Sequence, residues 1–322
     1  MGVALSSGGA ASLAQIGALE VLLDAGVPID VVAGTSAGAI IGAVLCSGRL
    51  ADFRDAFAAF TWRQTLGFFR FSWPRGALLE FRSALEFTSR YVAERIEDLD
   101  KPYAAVAADL VTGDEVVIRT GNVIDALRAS CAIPGIFPPQ RKDGRWLADG
   151  ALVNPIPVSI ARDLGARFTI AIHVLLADES HTERFARLCR ISTRRSLREQ
   201  IGSRLRRLRG RIDLADVVQE ADGVDPSAPA GLRFFTVLMQ ATRIVQCQIA
   251  AARLHREPAD AIVHIPVGDI GTFDFHRAKE LVEAGRRAAR AALPDILRAL
   301  EPTPTRRLFR RFVDRLQPAA IA

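Results

Sequence analysis

The feature that most restricts the fold is a change of period at residues 31–45, VVAGTSAGAIIGAVL. A β-branched apolar run halts at a turn of small residues, then resumes with helical spacing. A strand that enters a helix through so short a turn belongs to an α/β unit. The alternation recurs along the chain. Strand signals (GVALS, PIDVVAG, YAAVAADL, DEVVIRTG, GRWLAD, ARFTIAIHVLL) are interleaved with helical ones (LAQIGALEVLLDAG, VIDALRASC, PVSIARDLG). A long helix near 234–257, the strand DAIVHIPV and the helix FHRAKELVEAGRRAARAAL close the pattern. Such alternation predicts a mostly parallel sheet with helices on both faces. No internal repeat is present.

Two segments break the rhythm. Residues 53–91 hold eleven of the 22 aromatic residues, including FTWRQTLGFFRFSWPRG. They read either as the core of a helical subdomain or as a lid or acyl-chain channel. Residues 184–211 carry eleven arginines against the single acid Glu199, and residues 303–322 carry five against Asp314. These segments contribute +10 and +4 to a formal net charge of +6, so the remaining chain carries −8. Basic charge this local points to an anionic surface as partner. In the tail, RRLFRRFVDRL sets Leu308, Phe309, Phe312, Val313 and Leu316 opposite arginines, the pattern of an interfacial helix or of one packed on the domain.

No apolar run reaches the ~18 residues that a membrane-spanning helix requires. The first residues, MGVALSSGGA, have no basic start and no long apolar stretch, so no secretory signal is expected. They fit the myristoylation pattern M-G-x-x-x-[ST], but GVALS reads better as a core strand. Cys46, Cys131, Cys189 and Cys247 are widely spaced. They predict free thiols in a reducing, cytoplasmic compartment, with neither disulfides nor a zinc site.

The turn GTSAG, residues 34–38, is G-x-S-x-G set between a strand and a helix. That context marks a nucleophile elbow: the serine is held outward, and the flanking glycines remove Cβ atoms that would clash. The following helix aims its N-terminal dipole at Ser36, favouring negative charge there. A nucleophilic serine needs an oxyanion site and a base. For the first, SSGGAAS ends the first strand and opens a helix, and Gly8 and Gly9 let backbone N–H groups approach closely. G-x-G-x-x-G and a Walker lysine are both absent, which argues against a nucleotide site. For the base, His173, His255, His264 and His276 all fall in helix or strand patterns. Asp149, in WLADGALVNPIP, ends a strand before a glycine. It reads equally as a base or as the first residue of an Asp-Gly turn.

These residues resemble the patatin-like phospholipases, near their bacterial members and the neuropathy target esterase catalytic domain. The likeness covers LAQIGALEVLLDAGVPIDVVAGTSAGAIIGAVLCSG, ADLVTGDEVVI, ALRASCAIPGIFPP, LADGALVNPIPVSIARDLGA and ADAIVHIPVGDIGTFDFHRAKELVEAG. The resemblance implies a three-layer α/β/α fold with a mostly parallel central sheet, forming one catalytic domain over residues 1–300. Within it, 53–91 would be a lid or channel and 180–215 a basic insertion, with a basic amphipathic tail at 303–322. It implies Ser36 as nucleophile and Asp149 as general base in a Ser-Asp dyad, with the N–H groups of Gly8, Gly9 and Ala10 as oxyanion hole. No cofactor or metal is implied. The substrate would be a lipid carboxylic ester, and the arginine-rich segment and tail would meet an anionic membrane peripherally, at its inner face; no nucleic-acid partner is expected.

The chain departs from the resembled pattern G-G-G-x-[RK]-G at Ser7, Ala11 and Ser12. Serine is penalised wherever the loop requires positive φ, and Ala11 removes a positive charge. The departure implies an alternative: a weak or inactive lipid-binding scaffold on the same fold.

Overall fold

The structure, a computed structural model, describes residues 1–68, 70–71, 79–175, 234–268 and 270–300. The arginine-rich segment, the basic tail and Cys189 lie outside the described residues. The chain divides into two compact units, Met1–Leu176 with Val245–Ala322, and Ala177–Ile244. Of the second unit only 234–244, the start of one helix, is described.

In chain order the elements are β1 (Gly2–Leu5), α1 (Ala14–Asp24), β2 (Val31–Thr35), α2 (Ala37–Cys46), α3 (Leu50–Ala58), α4 (Trp62–Gly67), β3 (Arg70–Phe71), β4 (Leu79–Glu80) and α5 (Arg82–Thr88). Next come β5 (Tyr103–Asp109), β6 (Glu115–Ile118), α6 (Val123–Ser130), β7 (Gln140–Lys142), β8 (Arg145–Asp149) and α7 (Val158–Asp163). The chain continues with β9 (Thr169–Leu175), α8 (Phe234–Arg256), β10 (Ala261–Pro266) and α9 (Ala278–Leu300). Eight strands form the main sheet in the order β10-β9-β1-β2-β5-β8-β7, with β6 also paired to β5. The five from β10 to β5 run parallel. Strands β6, β7 and β8 join antiparallel.

Alternation along the strands builds the layers. Val3 and Leu5 of β1, with Ile170, Ile172, Val263 and Ile265, enter the main core with α1, α2 and α9. Their neighbours Ala4 and Ala171 pack with Ile156, Val158 and Ala250 of α8. Ala33, Ala104 and Val106 pack with Ile160 and Ala161 of α7. Helices thus cover both faces, bulky side chains filling one side and mostly alanines admitting close helices on the other. The expected three-layer, mostly parallel arrangement is present.

Two details lay outside the sequence reading. A hairpin joins β7 to β8 through Asp143 and Gly144, with φ of 49° and 79°. Asp-Gly between short strands is the signal for this turn. Helix α9 also runs past its expected end, through Pro294 to Leu300. Ile296, 1% exposed, anchors the turn beyond the proline, so tertiary packing offsets the hydrogen bond that proline removes.

Candidate active site

The serine elbow forms as a steric necessity. Ser36 has φ 56° and ψ −128°, a conformation that non-glycine residues avoid. Gly34 and Gly38 allow it. A Cβ on Gly34 would stand 2.6 Å from Ala39 Cα, and one on Gly38 2.4 Å from Ser6 O. Ser36 precedes α2, and Ala39 N–H donates back to its carbonyl at 2.9 Å.

Sheet register carries Asp149 to this elbow. Thr35 pairs with Val106 of β5, and the next residue of β5, Ala107, pairs with Asp149 on the opposite edge. The elbow and the end of β8 thus flank the same stretch of β5. Ser36 Oγ donates to Asp149 Oδ2 at 2.6 Å. The other carboxylate oxygen, Oδ1, accepts from Ala151 N–H at 2.9 Å. Gly150 is needed for this approach, since a Cβ there would stand 2.2 Å from Val106 O. Asp149 therefore ends β8, caps the turn that follows it and accepts the Ser36 hydrogen bond, all at once.

Burial governs the electrostatics. Asp149 is 1% exposed. Loss of solvent lifts its pKa from 3.8 to about 6, against the opposing pull of the Ser36 and Ala151 hydrogen bonds. A carboxylate so placed is a stronger base than an exposed aspartate. No histidine among the described residues shares the cavity that Ser36 lines. His173 and His264 pair across β9 and β10, with ring centroids 5.4 Å apart. Burial, with His264 beside it, holds His173 down to about 4, so it stays neutral.

That cavity comprises about 630 Å³ of unfilled space, its open mouth included. Phe53, Phe57, Phe68, Phe81 and Phe137 furnish much of its wall. Among the described rings of the aromatic region several pack edge-on, as with Phe57 and Phe87 at 5.2 Å and 78°. Described residues of the region thus form a helical core whose rings also wall the serine's cavity.

The sequence model of the patatin-like phospholipases matches residues 3–162. An uncharacterized NTE family protein of Mycobacterium tuberculosis is 31% identical over 326 aligned residues, which cover 90% of each chain. The chain belongs to the patatin-like phospholipase family. A second M. tuberculosis NTE family protein is 32% identical over 92% of this chain and 48% of its own. Mouse patatin-like phospholipase domain-containing protein 6 is 34% identical over 55% of this chain and 14% of its own. Membership places the chain among lipid-ester hydrolases. VipD of Legionella pneumophila aligns over 90% of this chain and 67% of its own, at 12% identity and a TM-score of 0.43. A likeness that distant carries no argument about the site.

The patatin-like glycine loop differs from expectation in two ways. Ser7 and Ser12 do not take positive φ; among described non-glycine residues only Ser36 and Asp143 do. The left-handed position is Gly9, at φ 56°. The serines therefore bring no backbone strain of the expected kind. The second difference concerns Ala10. Its N–H donates to Thr272 O at 2.8 Å, so this amide is engaged within the protein. Those of Gly8 and Gly9 make no hydrogen bond among the described residues. The loop is pinned from both sides, by Ser7 N–H to Pro155 O at 2.9 Å and by Val174 N–H to Ser6 Oγ at 3.0 Å.

Sequence reasoning gave no place at the site to Ser130, the last residue of α6, or to Cys131, which follows it. Ser36 N–H donates to Ser130 Oγ at 2.9 Å. Cys131 lines the cavity beside Ser36. Burial drives its thiol well above the usual range, leaving it neutral there. The strings VIDALRASC and ALRASCAIPGIFPP pointed at this helix end, and nothing in their spacing singled out the serine.

Proposed function

We propose that the protein hydrolyses lipid carboxylic esters through a Ser36–Asp149 dyad and an acyl-enzyme. The observation that carries this reading is the 2.6 Å hydrogen bond from Ser36 Oγ to Asp149 Oδ2 beside an apolar cavity. Asp149 takes the Ser36 proton as Oγ attacks the ester carbonyl, and later returns it to the leaving alcohol. Water then hydrolyses the acyl-enzyme, with Asp149 as base again. The N–H groups of Gly8 and Gly9, without a partner among the described residues, hold the tetrahedral oxyanion, each preorganised donor being worth on the order of 10²–10³ in rate. Ala10, its amide engaged by Thr272, shapes the loop in this reading. The phenylalanine-lined cavity suits an acyl chain.

The arginines of 184–211 and 303–322 would bring the enzyme to an anionic lipid surface, where such substrates reside. No helix among the described residues is long and apolar enough to cross a membrane. Flotation with vesicles of anionic and of neutral lipid tests this partner. Selective, salt-sensitive binding to the anionic vesicles is expected, lost when both basic segments are deleted.

One observation favours the non-catalytic alternative, a lipid-binding scaffold: Ala11 stands where a basic residue is expected, so a charge near the oxyanion is missing. Two measurements decide between the readings. A fluorophosphonate probe should label the wild type and not Ser36→Ala, and a panel of p-nitrophenyl esters, lysophospholipids and phospholipids should be turned over only when Ser36 is present. Failure of both in detergent would sustain the scaffold.

A further inference from the structure

The loop that departs from the family pattern holds an unspent hydrogen-bond donor. Ser12 is 1% exposed, and its Oγ has no hydrogen-bond partner among the described residues. A buried hydroxyl without a partner lowers stability, and such groups call for an explanation. Several other buried side-chain polar atoms also lack partners among the described residues, in Gln15, Asn154, Ser159 and His173. Among the described residues, Ser12 alone of these lines the cavity that contains Ser36.

The position of the hydroxyl is specific. It lies against the glycine pair, 2.9 Å from where a Cβ on Gly8 would stand. Gly9 follows, with a Cβ position 2.7 Å from Thr272 O, the carbonyl that engages Ala10 N–H. Thus the loop loses one backbone donor to Thr272 and presents one side-chain donor beside Gly8. The resembled pattern has glycine at this place, which has no hydroxyl to offer.

We infer that the Ser12 hydroxyl is a direct oxyanion donor in this enzyme, completing a hole formed with the N–H groups of Gly8 and Gly9. The inference rests on Ser36 acting as the nucleophile. As Ser36 Oγ bonds to the ester carbon, the carbonyl oxygen gains negative charge and Ser12 Oγ–H turns toward it. The hydrogen bond neither forms nor breaks a covalent bond and leaves the Ser12 proton in place. Charge on the acceptor makes the bond stronger in the transition state than in the ground state. It therefore acts on kcat more than on KM.

The test compares wild type with Ser12→Ala and Ser12→Gly in hydrolysis of a medium-chain p-nitrophenyl ester. Thermal unfolding and inhibition by an alkyl trifluoromethyl ketone, whose adduct with Ser36 carries an oxyanion, are measured on the same variants. The expected result is a fall in kcat of at least tenfold in both variants, with KM within about twofold. The ketone should weaken in proportion to kcat/KM, while the unfolding temperature of Ser12→Ala holds or rises. If Ser12→Ala fails to fold, Ser12→Gly, which adds no atoms to the site, decides alone. Retention of kcat within twofold in a folded variant, with turnover still abolished by Ser36→Ala, overturns the role of Ser12 and leaves the dyad standing. Weaker KM with unchanged kcat and unchanged ketone affinity also overturns it, as the mark of a packing role. A wild type without Ser36-dependent turnover overturns both readings.

Discussion

The backbone amide of Ser36 donates to the hydroxyl of Ser130 at 2.9 Å. That hydroxyl donates in turn to Val106 O at 2.6 Å, so the strained elbow is tied through a helix end to β5. A residue with φ 56° needs such external support.

Ser130→Ala should leave the Ser36 amide and the Val106 carbonyl unpaired in a dry interior. The expected loss is about 1–3 kcal/mol in denaturant unfolding, together with a several-fold fall in kcat as Ser36 loses its preset orientation. Unchanged turnover in a destabilised variant would confine Ser130 to the fold.

Asp149→Asn should abolish turnover, yet stabilise the fold at neutral pH. The folded pKa, about 6, lies above the ordinary 3.8. The folded state therefore binds more protons between those values, and this group's contribution is fully present below about 4 and lost as pH rises through about 6. At pH 7 the ionised, buried carboxylate is a cost that asparagine removes, on the order of 3 kcal/mol. Unfolding curves at pH 7 and pH 4 check the sign: the gain from Asp149→Asn should shrink at the lower pH.

Activity follows the opposite trend. Protonation removes the base, so kcat/KM should fall on the acid side with an apparent pKa near 6, the value to which burial lifts Asp149. A profile flat down to pH 4.5 would remove Asp149 from the role of base.

Gly38→Ala and Gly26→Ala separate steric need from backbone preference. A Cβ on Gly38 would stand 2.4 Å from Ser6 O, whereas one on Gly26 meets nothing within 4 Å, despite its φ of 73°. The first should unfold the protein or cost more than about 3 kcal/mol, by forcing the start of α2 off the end of β1. The second should cost about 1 kcal/mol. Parallel thermal melts decide the comparison.

Ala84 lines the cavity from α5 and is 5% exposed. Ala84→Phe should shorten the space beside Ser36. The expected outcome is at least a tenfold drop in kcat/KM for long-chain p-nitrophenyl esters relative to the acetate. Equal loss across chain lengths would place the acyl chain elsewhere.

Local signals made part of this protein readable from its sequence. The change of period around GTSAG is dictated by neighbours along the chain, so the strand, the elbow and the following helix were all visible there. So was the α/β layering, because strands buried on both faces stay apolar throughout while their helices keep a 3.6-residue period. Asp149 was visible only as a carboxylate before a glycine. Tertiary structure decided the rest. The pairing of Thr35 with Val106 and of Ala107 with Asp149 sets the distance between Ser36 and Asp149, and register between strands distant in sequence leaves no local pattern. The same holds for Ser130 beneath the elbow, for Thr272 taking the Ala10 amide, and for the unpartnered hydroxyl of Ser12. Each is a hydrogen bond made, or left unmade, by residues far apart in the chain, and only close packing determines which donors find an acceptor.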